Sequence, residues 1–237
     1  MGPWQVQAAA EMKDLLNKTL DVRKIDLKGS LLNPDLLDLF SDVDMEIHLH
    51  ENPTLDITHL VKELSEHYHR ILGYETHSQN NQDVLRLCFE NGQRFDLVFI
   101  YEGTKKPLAA DNLFEANIDS IANQFWFTAS TVLTKLRRKD YLVAAHLALE
   151  LCQLVVVIQM LIRDKEKSTN IHRFGDAEVV PVLNSLIRLN DGADSSECST
   201  PKDILDVLYL AADYMDKVSE QLGLGCLAKG ELLRAMG

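Results

Sequence analysis

The sequence predicts an α+β fold, with strands and helices mixed in its N-terminal half and helices alone in its C-terminal half. Three observations carry this expectation. Apolar and polar residues alternate with a period of two in short runs that all lie before Gly103. Two of these runs, 84–90 and 94–101, are joined through Asn91-Gly92, the strongest short hairpin signal. Beyond Asp111 the apolar spacing becomes helical and stays so almost to the end of the chain.

Residues 4–20 carry Ala8, Met12, Leu15 and Leu16 at helical spacing and read as an amphipathic helix. Residues 22–28 alternate Val22, Lys24, Asp26 and Lys28 against Arg23, Ile25 and Leu27, a short strand that Gly29-Ser30 ends. The connection 31–41 contains the turn signal Asn33-Pro34-Asp35 and has room for a helical turn at 36–40. A second strand covers 42–50. Asn52-Pro53-Thr54 marks a loop, and Ile57, Leu60, Val61, Leu64 and Tyr68 predict a helix over 56–72 with Gly73 as its stop. After the hairpin and the loop 104–110, Asp111 caps a helix reaching about 138, and another covers 140–165. His172-Arg173-Phe174-Gly175 reads as a loop, 176–189 as a shorter helix, and 191–199 as a polar connection. Thr200-Pro201-Lys202-Asp203 opens a helix with a capping hydroxyl, proline at N1 and an acid at N3; helices over 203–222 and 227–236 follow. The composition changes between 103 and 111, so we divide the chain into domains 1–106 and 107–237.

The net charge of −12 argues against a general nucleic-acid binder, because no basic face is available for a phosphate backbone. The four cysteines show no ligand spacing; Cys88 and Cys152 lie in apolar runs and read as core thiols of a reducing, cytoplasmic compartment. No secretion signal is visible. The long apolar stretch 141–162 is interrupted by His146, Glu150, Gln153 and Gln159, which predicts a buried helix rather than a membrane span.

The chemistry concentrates in Gly29-Ser30, the eleven residues after it, and Asp42-Val43-Asp44. Strand alternation puts Asp42 and Asp44 on one face, with Val43 and Met45 on the other. Two carboxylates so close repel unless a cation lies between them, and Mg2+ carrying phosphate oxygens is the usual partner. Asp96 lies on the strand face opposite Phe95, Leu97 and Phe99. Singly, each feature is bland: a lone pair of alternating aspartates is usually a solvated turn, and Asp96 alone a solvent-facing strand residue.

Together they resemble the nucleotidyltransferase superfamily related to DNA polymerase β. The resemblance implies that Gly29 and Ser30 cradle a nucleoside triphosphate and that Asp42 and Asp44 hold two Mg2+ ions. It makes Asp96 a further metal ligand or the base for the attacking hydroxyl. It also implies a mixed β-sheet with flanking helices over 1–106 and a helical, acceptor-binding bundle over 107–237. Asn123-Gln124-Phe125-Trp126-Phe127, the helix end Lys135 to Asp140, and the basic-aromatic Ile171-His172-Arg173-Phe174 follow in an order similar to the bacterial antibiotic nucleotidyltransferases. The streptomycin 6-adenylyltransferase branch is the nearest in pattern, with the lincosamide enzymes beside it. Those enzymes move AMP from ATP to a drug hydroxyl, so the implied partners are a nucleotide and a small antibiotic such as an aminoglycoside. Neither nucleic acid nor a membrane is implied, and a homodimer is allowed. An antitoxin-like or protein-AMPylating module, or a lincosamide or metabolite acceptor, are the alternatives.

The chain departs from that pattern at three places. Lys28 stands where the family prefers an apolar residue, Leu31 where an arginine or other polar residue commonly follows Gly-Ser, and Gln124 where the branch typically has glutamate. Neither a catalytic nor a drug-binding role carries to Gln124. Further candidates each have a bland counterpart. Phe125 and Trp126 stack on a ligand or fill the core, and Glu150 is a base or the polar edge of a helix. Lys105, Lys106 and Lys135 reach the triphosphate or stay solvated. His48 and His50 form a weak zinc pair or none, and the run 164–167 is a solvated helix end.

Overall fold

The computed structural model describes residues 3–33, 35, 37–50, 55–79, 82–101, 113–166, 201–222 and 229–236, with the backbone alone at 79, 113–117 and 164–166. Among these are a five-stranded mixed sheet and six α-helices, and the contacts divide the chain into two compact units, Met1–Asp111 and Asn112–Gly237.

The first unit runs α1 (Trp4–Thr19), β1 (Val22–Leu27), a short 3-10 turn (Gly29–Leu32), β2 (Val43–Leu49), α2 (Ile57–His67), β3 (Ile71–Gln79), β4 (Gln82–Phe89) and β5 (Arg94–Ile100). The sheet order is β1-β2-β5-β4-β3; β2 and β5 are parallel and the other pairs antiparallel. Strict alternation along β2 and β5 sends Val43, Met45, Ile47, Phe95, Leu97 and Phe99 to one face, all at most 1% exposed. Against that face pack Ala8, Ala9, Met12 and Leu16 of α1 and Leu60 and Leu64 of α2. The buried carboxylate of Asp83 on the same face accepts hydrogen bonds from Tyr101 (2.5 Å) and Ser78. The opposite face carries Asp44, Glu46 and His48 from β2, Asp96, Val98 and Ile100 from β5, and Arg86 from β4, half-buried or exposed.

Three local features correct or refine the sequence reading. The helix predicted over 56–72 stops at His67, and Ile71–Gln79 is a strand, with Gly73 inside it rather than at a helix end. Asp56 caps the helix as its side chain accepts the His59 N–H at 2.9 Å. Tertiary pairing overrides the helical periodicity here: Tyr74, Glu75 and Thr76 find Leu87, Arg86 and Leu85 across β4. A register shift between Val22 and Lys24 turns both Val22 and Ile25 toward the core, which a simple alternation does not allow. At the Asn91-Gly92 hairpin, Gly92 N–H bonds Phe89 O and Phe89 N–H bonds Gln93 O, each at 2.9 Å. Gly92 has φ +81°, so the loop holds three residues with the glycine left-handed.

Among the described residues the second unit contains α3 (Leu113–Arg137), α4 (Tyr141–Glu166), α5 (Pro201–Leu222) and α6 (Lys229–Met236). Lys139 at φ +60° ends α3, where Asp140 N–H reaches Lys135 O and Lys139 N–H reaches Leu136 O. Phe125 and Trp126 are buried and meet edge to face at 5.1 Å, so they belong to the core. Helix α4 buries Ala144, Ala148, Leu151, Val155 and Ile158 but exposes Leu142, Leu149 and Val157, so the expected buried helix is buried along one side only. It is long and apolar enough to cross a membrane, with a third of that window (33%) buried. The expected elements at 104–110, 172–189 and 191–199, and Cys198 and Cys226, lie outside the described residues.

Candidate active site

Parallel pairing of β2 with β5 sets Asp44 directly beside Asp96. Neighbouring strands run about 4.8 Å apart, so the two carboxylates share one patch of the sheet. Asp42 lies one residue before β2 and is close enough for its charge to act on Asp44, Asp96 and Arg86. Burial first, and then the charge of Asp42, raises the pKa of Asp44 against the pull of Arg86 and Arg94. Burial is also the main cause at Asp96, joined by the charges of Asp42 and Asp44, and it pushes that carboxyl up to about 6 despite Arg86 and Arg94.

The Gly29-Ser30 turn touches this patch. Lys28 N–H donates to Asp44 O at 2.9 Å, which aligns the end of β1 with the start of β2. Gly29 follows at φ +61°, and a Cβ there would fall 1.9 Å from Asp44 Oδ2. Only glycine satisfies both the left-handed backbone and the close approach. Ser30 Oγ is buried and has no hydrogen-bond partner among the described residues. An orphaned hydroxyl, a turn that would not admit a Cβ and a set of hard carboxylate oxygens fit Mg2+ and phosphate.

Arg86 is the residue that sequence reading missed. It stands opposite Asp96 on β4, with Nε 3.2 Å from Asp96 Oδ2, and its other arm meets Glu75 Oε1 at 2.9 Å. The three aspartates are not drawn into one tight ligand group. Two other sets among the described residues are, with ligand atoms within 4.8 Å: Asp26, Glu46 and His48 on the sheet, and Glu63, Glu66 and His67 on α2. In the first, Lys24 lies 2.7 Å from Asp26 and Lys28 2.8 Å from Glu46, so ammonium groups already neutralise both acids. His48 is 3.6 Å from Asp26, whereas His50 lies past the end of β2 and does not join it.

The remaining sequence candidates sit elsewhere. Gln124 and Glu150 are half-buried on α3 and α4 of the second unit. Lys135 pairs with Asp140 at 3.7 Å. Lys105, Lys106 and residues 171–174 lie outside the described residues.

No family model and no curated protein matches the sequence. Among solved structures the chain is similar to an aminoglycoside 6-adenyltransferase from Bacillus subtilis. The identity is 13%, over 100% of this chain and 97% of that chain, with a TM-score of 0.31. A likeness this slight leaves the functional reading to the residues themselves.

Proposed function

We propose that the chain is a cytoplasmic, Mg2+-dependent nucleotidyltransferase that moves a nucleoside monophosphate, AMP from ATP, onto a hydroxyl of a small acceptor. The observation that carries the reading is the contact between Gly29 and the Asp44 carboxylate. It joins a phosphate-type backbone turn to an acid whose strand neighbour is a second acid. In this reading Gly29 and Ser30 present backbone N–H groups and a hydroxyl to the triphosphate. Asp42 and Asp44 hold two Mg2+ ions, and Asp96 completes the second site or takes the proton of the acceptor hydroxyl. Burial and the charges of Asp42 and Asp44 raise the pKa of Asp96 in the metal-free chain, and bound Mg2+ would lower it again by neutralising those charges. The bound ions would supply Lewis-acid stabilisation of the charge that develops on the phosphate oxygens. For the triad to act, Asp96 exchanges its Arg86 contact for the new partner.

The acceptor assignment, an antibiotic such as an aminoglycoside recognised by residues 107–237, rests on the sequence resemblance alone. Pyrophosphate release with the four ribonucleotides against aminoglycosides and lincosamides tests it. Release with at least one pair, lost in Asp42→Asn, is the expected result. Wild-type turnover in Asp42→Asn removes the metal assignment, and silence on every drug with labelling of a protein moves the acceptor to a protein.

A further inference from the structure

We propose that Lys28 is a ligand of the triphosphate and is parked on Glu46 until nucleotide binds; this rests on the nucleotidyltransferase reading above. Its position, its face and its exposed ion pair support it. Lys28 immediately precedes Gly29-Ser30, and its N–H bond to Asp44 O places it one ladder step past the Leu27–Met45 pair. Its Cα is thereby fixed about 5 Å from that of Asp44. Alternation along β1 turns Ile25 and Leu27 toward the core, so Asp26 and Lys28 share the face of Asp44 and Glu46.

The ammonium lies 2.8 Å from Glu46 Oε2, with the two side chains 45% and 31% exposed. So exposed an ion pair is weak and readily exchanged. A polyanionic triphosphate offers several oxygens to a compact ammonium, where Glu46 offers one carboxylate. Of the two arginines whose charges reach Asp44 and Asp96, Arg86 is committed otherwise, since it bridges Asp96 and Glu75. Asp26 has Lys24 as its own partner at 2.7 Å, so departure of Lys28 leaves only Glu46 to be solvated, on an accessible surface.

The parking arrangement makes two single substitutions act in opposite directions. Lys28→Met removes the ligand, whereas Glu46→Gln frees it. The test is calorimetric titration of the full chain with Mg·ATP and with Mg·tripolyphosphate, using AMP as the control. Lys28→Met is expected to weaken both triphosphate probes about tenfold and to leave AMP within about twofold, with Lys28→Arg recovering most of the loss. Glu46→Gln is expected to tighten both probes about two- to fivefold, and the double variant Lys28→Met/Glu46→Gln to bind as weakly as Lys28→Met.

Wild-type affinity in Lys28→Met, or recovery in the double variant, overturns the proposal, because the lysine would then serve only to neutralise Glu46. Should Lys28→Met fail to fold by circular dichroism, Glu46→Gln decides: unchanged or weaker affinity overturns the proposal. A wild-type chain that binds neither Mg-triphosphate probe overturns the nucleotidyltransferase reading and Lys28 with it. Wild-type binding without a Lys28 effect leaves that reading standing and removes only the lysine.

Discussion

Two neighbouring sets of charges share one face of the sheet and are handled in opposite ways. In the set at the β1 edge each acid has its own ammonium, Asp26 with Lys24 and Glu46 with Lys28. The hydrogen bond from Lys24 is the first cause that holds Asp26 below the ordinary carboxylate range. At the β2–β5 pair, Asp42, Asp44 and Asp96 act on one another with Arg86 and Arg94 as the opposing charges, and the pKa values of Asp44 and Asp96 rise. A sheet that matches its charges at one place could do so at the next. Where it leaves negative charge in excess, burial and mutual repulsion raise the pKa values instead, and that contrast marks the candidate site.

The sharpest break of the comparison is a pair of equivalent substitutions. Asp44→Asn is expected to lower pyrophosphate release about 1,000-fold or more while the far-ultraviolet spectrum is kept. Asp26→Asn, on the matched set, is expected to stay within about twofold of wild type.

Gly29→Ala comes next, because it strains a left-handed backbone and drives a methyl group into Asp44 Oδ2. A loss of about 2 kcal/mol in chemical denaturation is expected, and under the proposed metal assignment Mg2+ should raise the thermal midpoint of the wild-type chain but not of this variant. An unchanged midpoint would mean that the turn is not pressed against the aspartate.

Asp96→Asn acts in the other direction. Its folded value of about 6 lies above the unfolded 3.8, so the native state holds the proton more tightly. Below pH 3.8 both states are protonated and nothing is lost; between about 4 and 6 stability falls as the pH rises, and above 6 the whole penalty is present. With Asp96 23% exposed and partly screened, the metal-free Asn variant should gain about 1–2 kcal/mol at pH 7.5 and nothing at pH 3.5. The smallest effect belongs to Asp26→Asn, a slight destabilisation above its lowered pKa that fades with added salt. Denaturation at pH 3.5 and 7.5, with and without salt, checks both signs.

Much of this arrangement is legible in the residues. Parity alone places Asp44 and Asp96 on the faces opposite Met45 and Leu97, and the Gly29-Ser30 break ends β1 where the turn is needed. Arg86 is not legible in the same way, and the reason is register. A two-residue Asn91-Gly92 turn would set Leu87 opposite Asp96; the three-residue loop with left-handed Gly92 sets Arg86 there instead. Lys28–Glu46 escapes for a similar reason, since the long connection 31–41 does not specify how β1 and β2 align. Strand β3 is hidden by the helical spacing that runs on through Tyr68, although Asn80-Asn81 between two strand-like runs is a hairpin signal in its own right.

The parallel pairing of β2 with β5 has a consequence for the order in which the molecule assembles. Asp44 and Asp96 lie on paired strands that α2, β3 and β4 separate in sequence, a contact of high contact order that is expected to form late in folding. The same pairing brings Val43, Met45, Phe95 and Leu97 together on the apolar face behind the acids, so the charged patch and its platform are expected to form in one step. In a refolding experiment, recovery of divalent-ion binding should lag the burst of secondary structure and coincide with completion of the sheet.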